Sequence, residues 1–305
     1  MRDPLDEEIV GAGLVTSGQP WRGVEFHAAI GSTNSRLRDL VTAAAPPTGP
    51  YAGGPGAAGR GRWWVVLTDH QTGGRGRLGR VWEVPDRASV AVSCAIPVTE
   101  PAVAGWLPLL AGLALARALR RVTRAAGHEL DPRLKWPNDV LLGDDGDRKV
   151  SGILAELVAV PEPDPASGRG AGHPAYVVVV GAGVNIDQAR DELPVDTATS
   201  LALAGASVRR EEVVITYLRE LAALLPVAAG ASGGTPGVGT VDETARAAYV
   251  AACSTVGAHV RVHLPGGEAI EGEAVDIDRD GGLVVATTAG RRTFAAGDVV
   301  HVRRP

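Results

Sequence analysis

The residues of this chain best suited to chemistry stand together in one stretch, Gln71-Thr72-Gly73-Gly74-Arg75-Gly76-Arg77-Leu78-Gly79-Arg80. Glycine lets a backbone curl and bring its N–H groups close to a ligand. Arginine offers a planar fork of donors that fits a carboxylate or a phosphate in two-point contact. With four glycines and three arginines in ten residues, the loop is suited to enclosing an anion. Taken alone it reads equally well as a flexible basic surface turn. It is not a lysine-type phosphate loop, because no Gly-Lys-Ser/Thr follows these glycines anywhere in the chain. Its arginines must handle the anion.

Three further stretches hold polar groups where a ligand could use them. Gly31-Ser32-Thr33-Asn34-Ser35 opens a helix, and Ser32 or Thr33 suits its N-cap because a hydroxyl takes an orphan backbone N–H. Such hydroxyls, with the free N–H groups of a helix start, also bind polar ligands. Lys135-Trp136-Pro137-Asn138-Asp139-Val140 crowds a cation, an amide and a carboxylate around a proline that cannot join a strand ladder. Gly181-Ala182-Gly183-Val184-Asn185-Ile186 ends an apolar run and invites a dinucleotide reading. Its sixth position is Ile186 rather than glycine, and no helix opens directly after it. It is read instead as a backbone turn near a ligand, with Asn185 able to donate and accept. Asp144, Asp145 and Asp147 lack the spacing and the closing glutamate of a calcium loop, and form a hairpin turn.

The elements that must position these groups follow from periodicity. Apolar runs predict strands over 21–30, 63–67, 88–96, 148–157 and 176–180. Residues 102–125 keep helical apolar spacing, with Arg117, Arg120, Arg121 and Arg124 along the other side as a solvated basic face. Residues 209–226 and 242–252 read as helices. From 256 the character changes to five short strands with tight turns in under fifty residues, a small β-barrel. Residues 1–20 carry few apolar residues and are expected to form a loose arm. The Pro/Gly-rich stretches 45–61, 161–174 and 229–240 read as mobile insertions that build no core.

Composition narrows the function classes. At 305 residues, 45% apolar and 21% charged, the chain is long enough for a full core. A net charge of −5 gives no general attraction to nucleic acid, so any anion site must be a local cluster. Cys94 and Cys253 lie in apolar surroundings and are expected as buried thiols in a reducing cytoplasm. The acidic N-terminus lacks the basic-then-apolar order of a signal peptide, and no run of 18 apolar residues exists. A cytoplasmic location without membrane contact is expected.

Taken in order, GSTN at 31–34, DHQTGGRGRLGR at 69–80, KWPNDV at 135–140 with RKVSGILAE at 148–156, and GAGVNI at 181–186 closely resemble the biotin protein ligases. The DID-x-x-G-G-LVV and AGDV phrases near the C-terminus are similar to that family's terminal domain. The resemblance implies an α+β fold: a biotin/lipoate-ligase-like catalytic domain over 21–255, with a mixed β-sheet flanked by helices, and an SH3-like barrel over 256–305. It implies ATP-dependent formation of biotinyl-5′-adenylate, then transfer to one lysine of a carrier. That carrier would be the biotin carboxyl carrier domain of an acetyl-CoA/acyl-CoA or pyruvate carboxylase.

By the same resemblance, Ser32, Thr33 and Asn34 would hold the biotin head, and Gln71, Arg75, Gly76 and Arg77 would close over biotin and its adenylate. Lys149 would reach the biotin carboxyl oxygen, and Lys135, Asn138 and Asn185 would contact ATP. Arg77 and Lys149 would be catalytic, with Asp139 a candidate for taking the proton from the acceptor lysine. Magnesium is expected on the phosphates, with no protein ligand. About 20 residues precede Trp21, too few for a three-helix DNA reader, so no nucleic-acid partner is expected. A monomer and a weak homodimer both stay open. So do a lipoate-type ligase on a related fold and a non-catalytic biotin-binding regulator. The arginine loop is expected to be mobile when empty and to order over the adenylate.

Overall fold

The computed structural model describes residues 2–43, 48–51, 63–160, 176–228, 237–264, 267–295 and 297–302. Its main layer is a nine-stranded sheet. The strands are β1 (Gly23–His27), β2 (Trp64–Thr68), β3 (Ser89–Val98), β4 (Pro132–Lys135), β5 (Asp139–Leu142), β6 (Arg148–Ala159) and β7 (Tyr176–Asn185), with the short β8 (Val227–Ala228) and β9 (Gly237–Val238). The main path runs β1-β2-β3-β7-β6-β5-β4. β1 and β2 are parallel, whereas β2–β3, β3–β7 and β6–β7 are antiparallel, so the sheet is mixed.

The sheet is covered on both faces, which is why β3 is buried at every residue. On one face lie α3 (Leu107–Ala125) and α4 (Arg210–Leu224), packed over Val65, Leu67, Val92, Ile96 and Val180. On the other lies α2 (Thr33–Thr42), whose Leu37, Leu40 and Val41 cover Trp64, Val66, Ala95, Val177 and Val179. Burying each such side chain contributes about 1.5–3 kcal/mol. Because α2 begins at Thr33, it covers only part of its face, and the remaining sheet surface is where a ligand can enter. The basic face of α3 is solvated and ion-paired, with Arg120 on Asp131, Arg121 on Glu220 and Arg124 on Glu129.

The terminal sheet is antiparallel, in the order β13-β12-β11-β10-β14, as in an SH3-like barrel. Its strands are β10 (His259–His263), β11 (Ala269–Ile277), β12 (Leu283–Thr287), β13 (Gly290–Phe294) and β14 (Asp298–His301). α5 (Glu243–Ala252) precedes it. Two tryptophans tie this sheet to the main layer: the Trp106 indole donates to Arg279 O at 2.7 Å and the Trp136 indole to Gly281 O at 3.0 Å. Among the described residues no helix is long and apolar enough to cross a membrane, and Cys94 and Cys253 are buried free thiols.

Three expectations change. The N-terminal stretch expected as a loose arm is, over residues 2–20, no loose arm: α1 (Glu7–Leu14), capped by Asp6, buries Val10 and Leu14. Gly13 of this helix approaches Ile215 of α4 so closely that a Cβ there would lie 2.7 Å from it. With only eight residues, this helix shows too few turns for periodicity to reveal. The insertion 161–174 lies wholly outside the described residues, and 45–61 and 229–240 lie largely outside them, yet the described parts of these last two are built into the fold. Gly237–Val238 forms β9, which pairs with β3 and β8. Residues 48–51 are anchored by Thr48 and Tyr51, whose carbonyl accepts from Val24 N–H at 2.9 Å. Finally, 181–185 is no turn: β7 continues straight through Asn185.

The Thr48 anchor is Glu25, a buried carboxylate that also accepts from Arg36 at 2.6 Å and contacts His27 at 2.7 Å. Burial pushes its pKa up, but hydrogen bonds from Arg36, the Thr48 backbone and His27 outweigh that and bring it down to about 2. A carboxyl depressed in the folded state adds stability above its unfolded pKa, and that stability is lost as pH falls through the folded value. Glu25→Gln should therefore unfold more easily than the parent at pH 7. The difference should shrink steadily between about pH 5 and pH 2 in pH-resolved denaturant titrations. A gap that stays constant over that range would remove Glu25 from this role.

Candidate active site

The open part of the α2 face holds a cavity of about 350 Å³. One end is the start of α2. Ser32 is the N-cap, with extended backbone and its hydroxyl facing Ser35 N–H. The Thr33 N–H, one of the orphan donors of the helix start, is taken at 2.9 Å by Gln71 Oε1. Backbone bonds from Ile30 N–H to His70 O, Thr72 N–H to Ile30 O and Gly73 N–H to Gly31 O join the same two segments. The base of the arginine loop is thus fastened to the mouth of α2. Asn34 turns inward, donating to Leu154 O at 3.3 Å and to Glu156 Oε2 at 2.8 Å.

The floor is β7. Gly181 and Gly183 face the cavity, and side chains there would occupy it. A Cβ on Gly181 would lie 2.1 Å from Asn34 Oδ1, and one on Gly183 would lie 2.6 Å from the Trp82 ring. The two glycines read as a turn motif are therefore close-approach positions within a strand. Asn185 lies beyond them, with both ends of its amide engaged: it donates to Thr199 O at 2.9 Å and accepts from Gln188 at 2.8 Å. Gly183→Ala should push Trp82 off the floor and lower the cavity's affinity for its ligand about tenfold or more, since such a contact against the ring cannot relax freely. Calorimetric titration with biotin, the ligand that the sequence resemblance implies, checks this, and unchanged affinity would show that Trp82 can shift without consequence.

The other end is charged. Lys149 Nζ pairs with Asp139 Oδ1 at 2.6 Å and sits 5.8 Å above the Trp82 ring. Arg77 is half-buried, donating to Asn138 Oδ1 at 3.2 Å and to Gly297 O at 3.5 Å. Burial lowers the Arg77 pKa, while Asp139 and Asp298 oppose that shift. Asn138 is itself held by Ile153 O at 2.9 Å. Lys135, at the end of β4, lines the same region. Arg80 pairs with Asp298 of the barrel. Burial raises the Asp298 pKa, but the hydrogen bond and charge of Arg80, together with the charges of Lys135 and Arg77, outweigh it and the net shift is downward. Arg75 turns toward the α2 end, donating to Ser35 Oγ at 2.8 Å. Gly76 forms part of the loop wall, its N–H bonded to Arg80 O at 2.7 Å.

Five cations line the cavity against three carboxylates, Glu83, Asp139 and Asp298. In a chain of net charge −5 this is a local reversal of sign that favours anions. All twelve site residues expected from sequence lie on this one cavity. Sequence reading missed Trp82, the apolar wall of Leu193, Val195 and Ala198, and the entry into β14 at 297–299. Trp82 could have been suspected as a lone aromatic directly after the loop. The other two come from distant segments and carry no local motif.

This mixed sheet, with its barrel and a cavity polar at one end and cationic at the other, defines the biotin/lipoate ligase class. Residues 58–163 match the Biotin/lipoate A/B protein ligase family, and residues 255–302 match the Biotin protein ligase C terminal domain. The chain is 35% identical over 305 residues to the biotin–[acetyl-CoA-carboxylase] ligase of Mycobacterium tuberculosis, covering 99% of this chain and 98% of that protein. It is 32% identical over 248 residues to the like-named ligase of Paracoccus denitrificans, covering 80% and 92%. The biotin protein ligase of Aquifex aeolicus, solved with biotin and ATP, shares the fold with a TM-score of 0.60 at 22% identity, covering 93% of this chain and all of that one. The chain belongs to the biotin protein ligase family.

Proposed function

We infer that this chain is an ATP-dependent ligase that activates biotin as biotinyl-5′-adenylate and passes the acyl group to a lysine of a carboxylase's biotinyl domain. The observation that carries this is the polarity of the cavity, with hydroxyls and amides at the start of α2 and Arg77 and Lys149 at the far end. That gradient matches a ligand with a neutral polar head and an anionic tail.

The first step brings a carboxylate against an α-phosphate, two anions that repel. Cations must screen them and hold them in line. Ser32, Thr33 and Asn34 hold the head, with Gln71 and the loop residues Arg75 and Gly76 closing over it. Lys149 leaves Asp139 for the biotin carboxylate, and Arg77 takes the phosphate side with Lys135, Asn138 and Asn185 near the nucleotide. The carboxylate oxygen attacks the α-phosphorus and pyrophosphate departs. Magnesium enters with ATP on phosphate oxygens, the usual mode for this ion. In the second step the carrier lysine attacks the acyl carbon, AMP departs, and Asp139, released from Lys149, takes the proton.

The catalytic work falls to residues 21–255, with the barrel of 256–305 closing one side through the entry into β14 at 297–299. The carrier is the biotinyl domain of an acetyl-CoA/acyl-CoA or pyruvate carboxylase.

Biotin-dependent release of pyrophosphate, followed by transfer of labelled biotin to a carrier domain, tests the reading. Release with lipoate but not biotin would move the chain to the lipoate ligases. Biotin binding with no pyrophosphate release would make it a non-catalytic regulator.

A further inference from the structure

In the middle of β3 the side chain of Ser93 interrupts an apolar buried run. Ser93 is fully buried, pairs across β7 with Gly181, and faces the α2 end of the cavity. Its Oγ lies 2.8 Å from Thr33 Oγ1 and 2.6 Å from Asn34 Oδ1. A buried hydroxyl without partners costs free energy, so its hydrogen bonds define its role.

The proton positions in this cluster can be worked out from groups that have no choice. Leu154 O and the Glu156 carboxylate only accept, so Asn34 must turn its Nδ2 toward them. Asn34 Oδ1 then faces Ser93, and Ser93 must donate its single proton there. Ser93 has none left for Thr33, and two hydroxyl oxygens 2.8 Å apart need a proton between them, so of its two acceptors, Ser93 Oγ and the more distant Gln71 Oε1, Thr33 O–H takes Ser93. Gln71 Oε1 is engaged by the Thr33 N–H at 2.9 Å and lies farther from Thr33 Oγ1, at 3.1 Å. The direction set by Glu156 thus passes through Asn34 and Ser93 to Thr33. It leaves the free lone pair of Thr33 Oγ1 as an acceptor toward the cavity.

We propose that Ser93 and Glu156 are positioning residues for biotin recognition: their relay holds Thr33 as a hydrogen-bond acceptor, so the α2 end of the cavity selects a ligand head that presents an N–H group. This rests on the biotin reading, since the ureido ring of biotin presents N–H groups. Neither residue needs to touch the ligand. Glu156 also lies 3.8 Å from Arg75 and from Arg38, two cations that flank this end of the chain. Gly181 completes the arrangement, because a Cβ there would sit on Asn34 Oδ1.

The test uses the full-length enzyme, with biotin as the probe. Ser93→Ala should raise the biotin Kd in calorimetry about tenfold, the equivalent of about 1.4 kcal/mol. The KM for ATP and the kcat at saturating biotin should stay within about twofold, as expected when only one ligand's contacts are lost. Ser93→Thr restores the hydroxyl and should recover most of the affinity. Glu156→Leu should weaken biotin binding, whereas Glu156→Gln, which still accepts from Asn34, should not. Should Ser93→Ala fail to fold, the Glu156 pair decides the matter.

A biotin Kd unchanged in both Ser93→Ala and Glu156→Leu overturns the proposal. So does a parallel rise in the ATP constant, which would mark a general disturbance of the site. Absence of pyrophosphate release by the parent enzyme would instead overturn the ligase reading, and the binding measurements would still judge the relay.

Discussion

Arg77→Gly should release biotinyl-5′-adenylate about 10²–10⁴-fold faster than the parent enzyme, the effect of losing two charge-assisted bonds to the phosphate at about 1.5–3 kcal/mol each. The geometry gives the reason. Arg77 sits half-buried among Asn138, the Asp139 carboxylate and Gly297 O, and its donors are directed by Asn138, which Ile153 holds in turn. Little reorganisation is needed when an anion arrives, because the guanidinium is already in place and already partly stripped of water. Glycine removes the charge and loosens the loop together. The released adenylate is an activated acyl phosphate, and it should acylate lysines without selection. The measurements are the dissociation rate of radiolabelled adenylate by rapid filtration and the labelling of a bystander protein such as albumin. Thermal unfolding should change little, since the protein-side bonds of Arg77 are few. Retention equal to the parent's would move Arg77 out of the phosphate site.

Lys149→Gln should lower the rate of adenylate formation about 10²–10³-fold, the cost typical of losing one preorganised charge donor at a developing anion. Lys149 is fixed on both sides of its backbone, by Thr197 O at 2.8 Å and by Thr199 N–H at 2.9 Å. Its Nζ can therefore swing only locally, between Asp139 and the cavity. Asp139 holds it at 2.6 Å. A biotin carboxylate and an α-phosphate together offer two anions against that one, and the lysine should change partners. Lys149→Arg keeps the charge but swaps a compact ammonium for a planar fork, and should recover only part of the rate. Transfer from preformed adenylate should be less sensitive than its formation, because the repulsion between carboxylate and phosphate has by then been overcome. Single-turnover measurement of each half-reaction separates the two. Equal losses in both would mean that Lys149 acts by freeing or restraining Asp139 rather than by screening the carboxylate.

The family and its reaction were legible in sequence because their signs are local. A Ser-Thr pair caps a helix by bonds within one turn, so GSTN announces the start of α2 without help from the rest of the chain. The crowding of glycine and arginine at 71–80 announces an anion loop for the same reason, and alternating apolar residues announce the strands of sheet and barrel. The reversal of charge around the cavity could also be anticipated, since the loop and KWPNDV carry their cations within a few residues.

What the tertiary structure alone decided are the pairings between distant segments. Lys149 meets Asp139 because β5 and β6 lie side by side, Ser93 reaches Thr33 and Asn34 because α2 starts over β3, and Arg80 meets Asp298 because the barrel folds back onto the loop. The same holds for Gly181 and Gly183, which looked like a turn. Their smallness is demanded by Asn34 and Trp82 across the cavity, and nothing within 181–186 encodes that demand. α1 was hidden because an eight-residue helix is stabilised by what it packs against, here α4, more than by its own pattern. Propensity, capping and turn chemistry act over a few residues and survive in a one-dimensional reading. Close approach and hydrogen-bond direction depend on which segments become neighbours, and only the folded chain decides that.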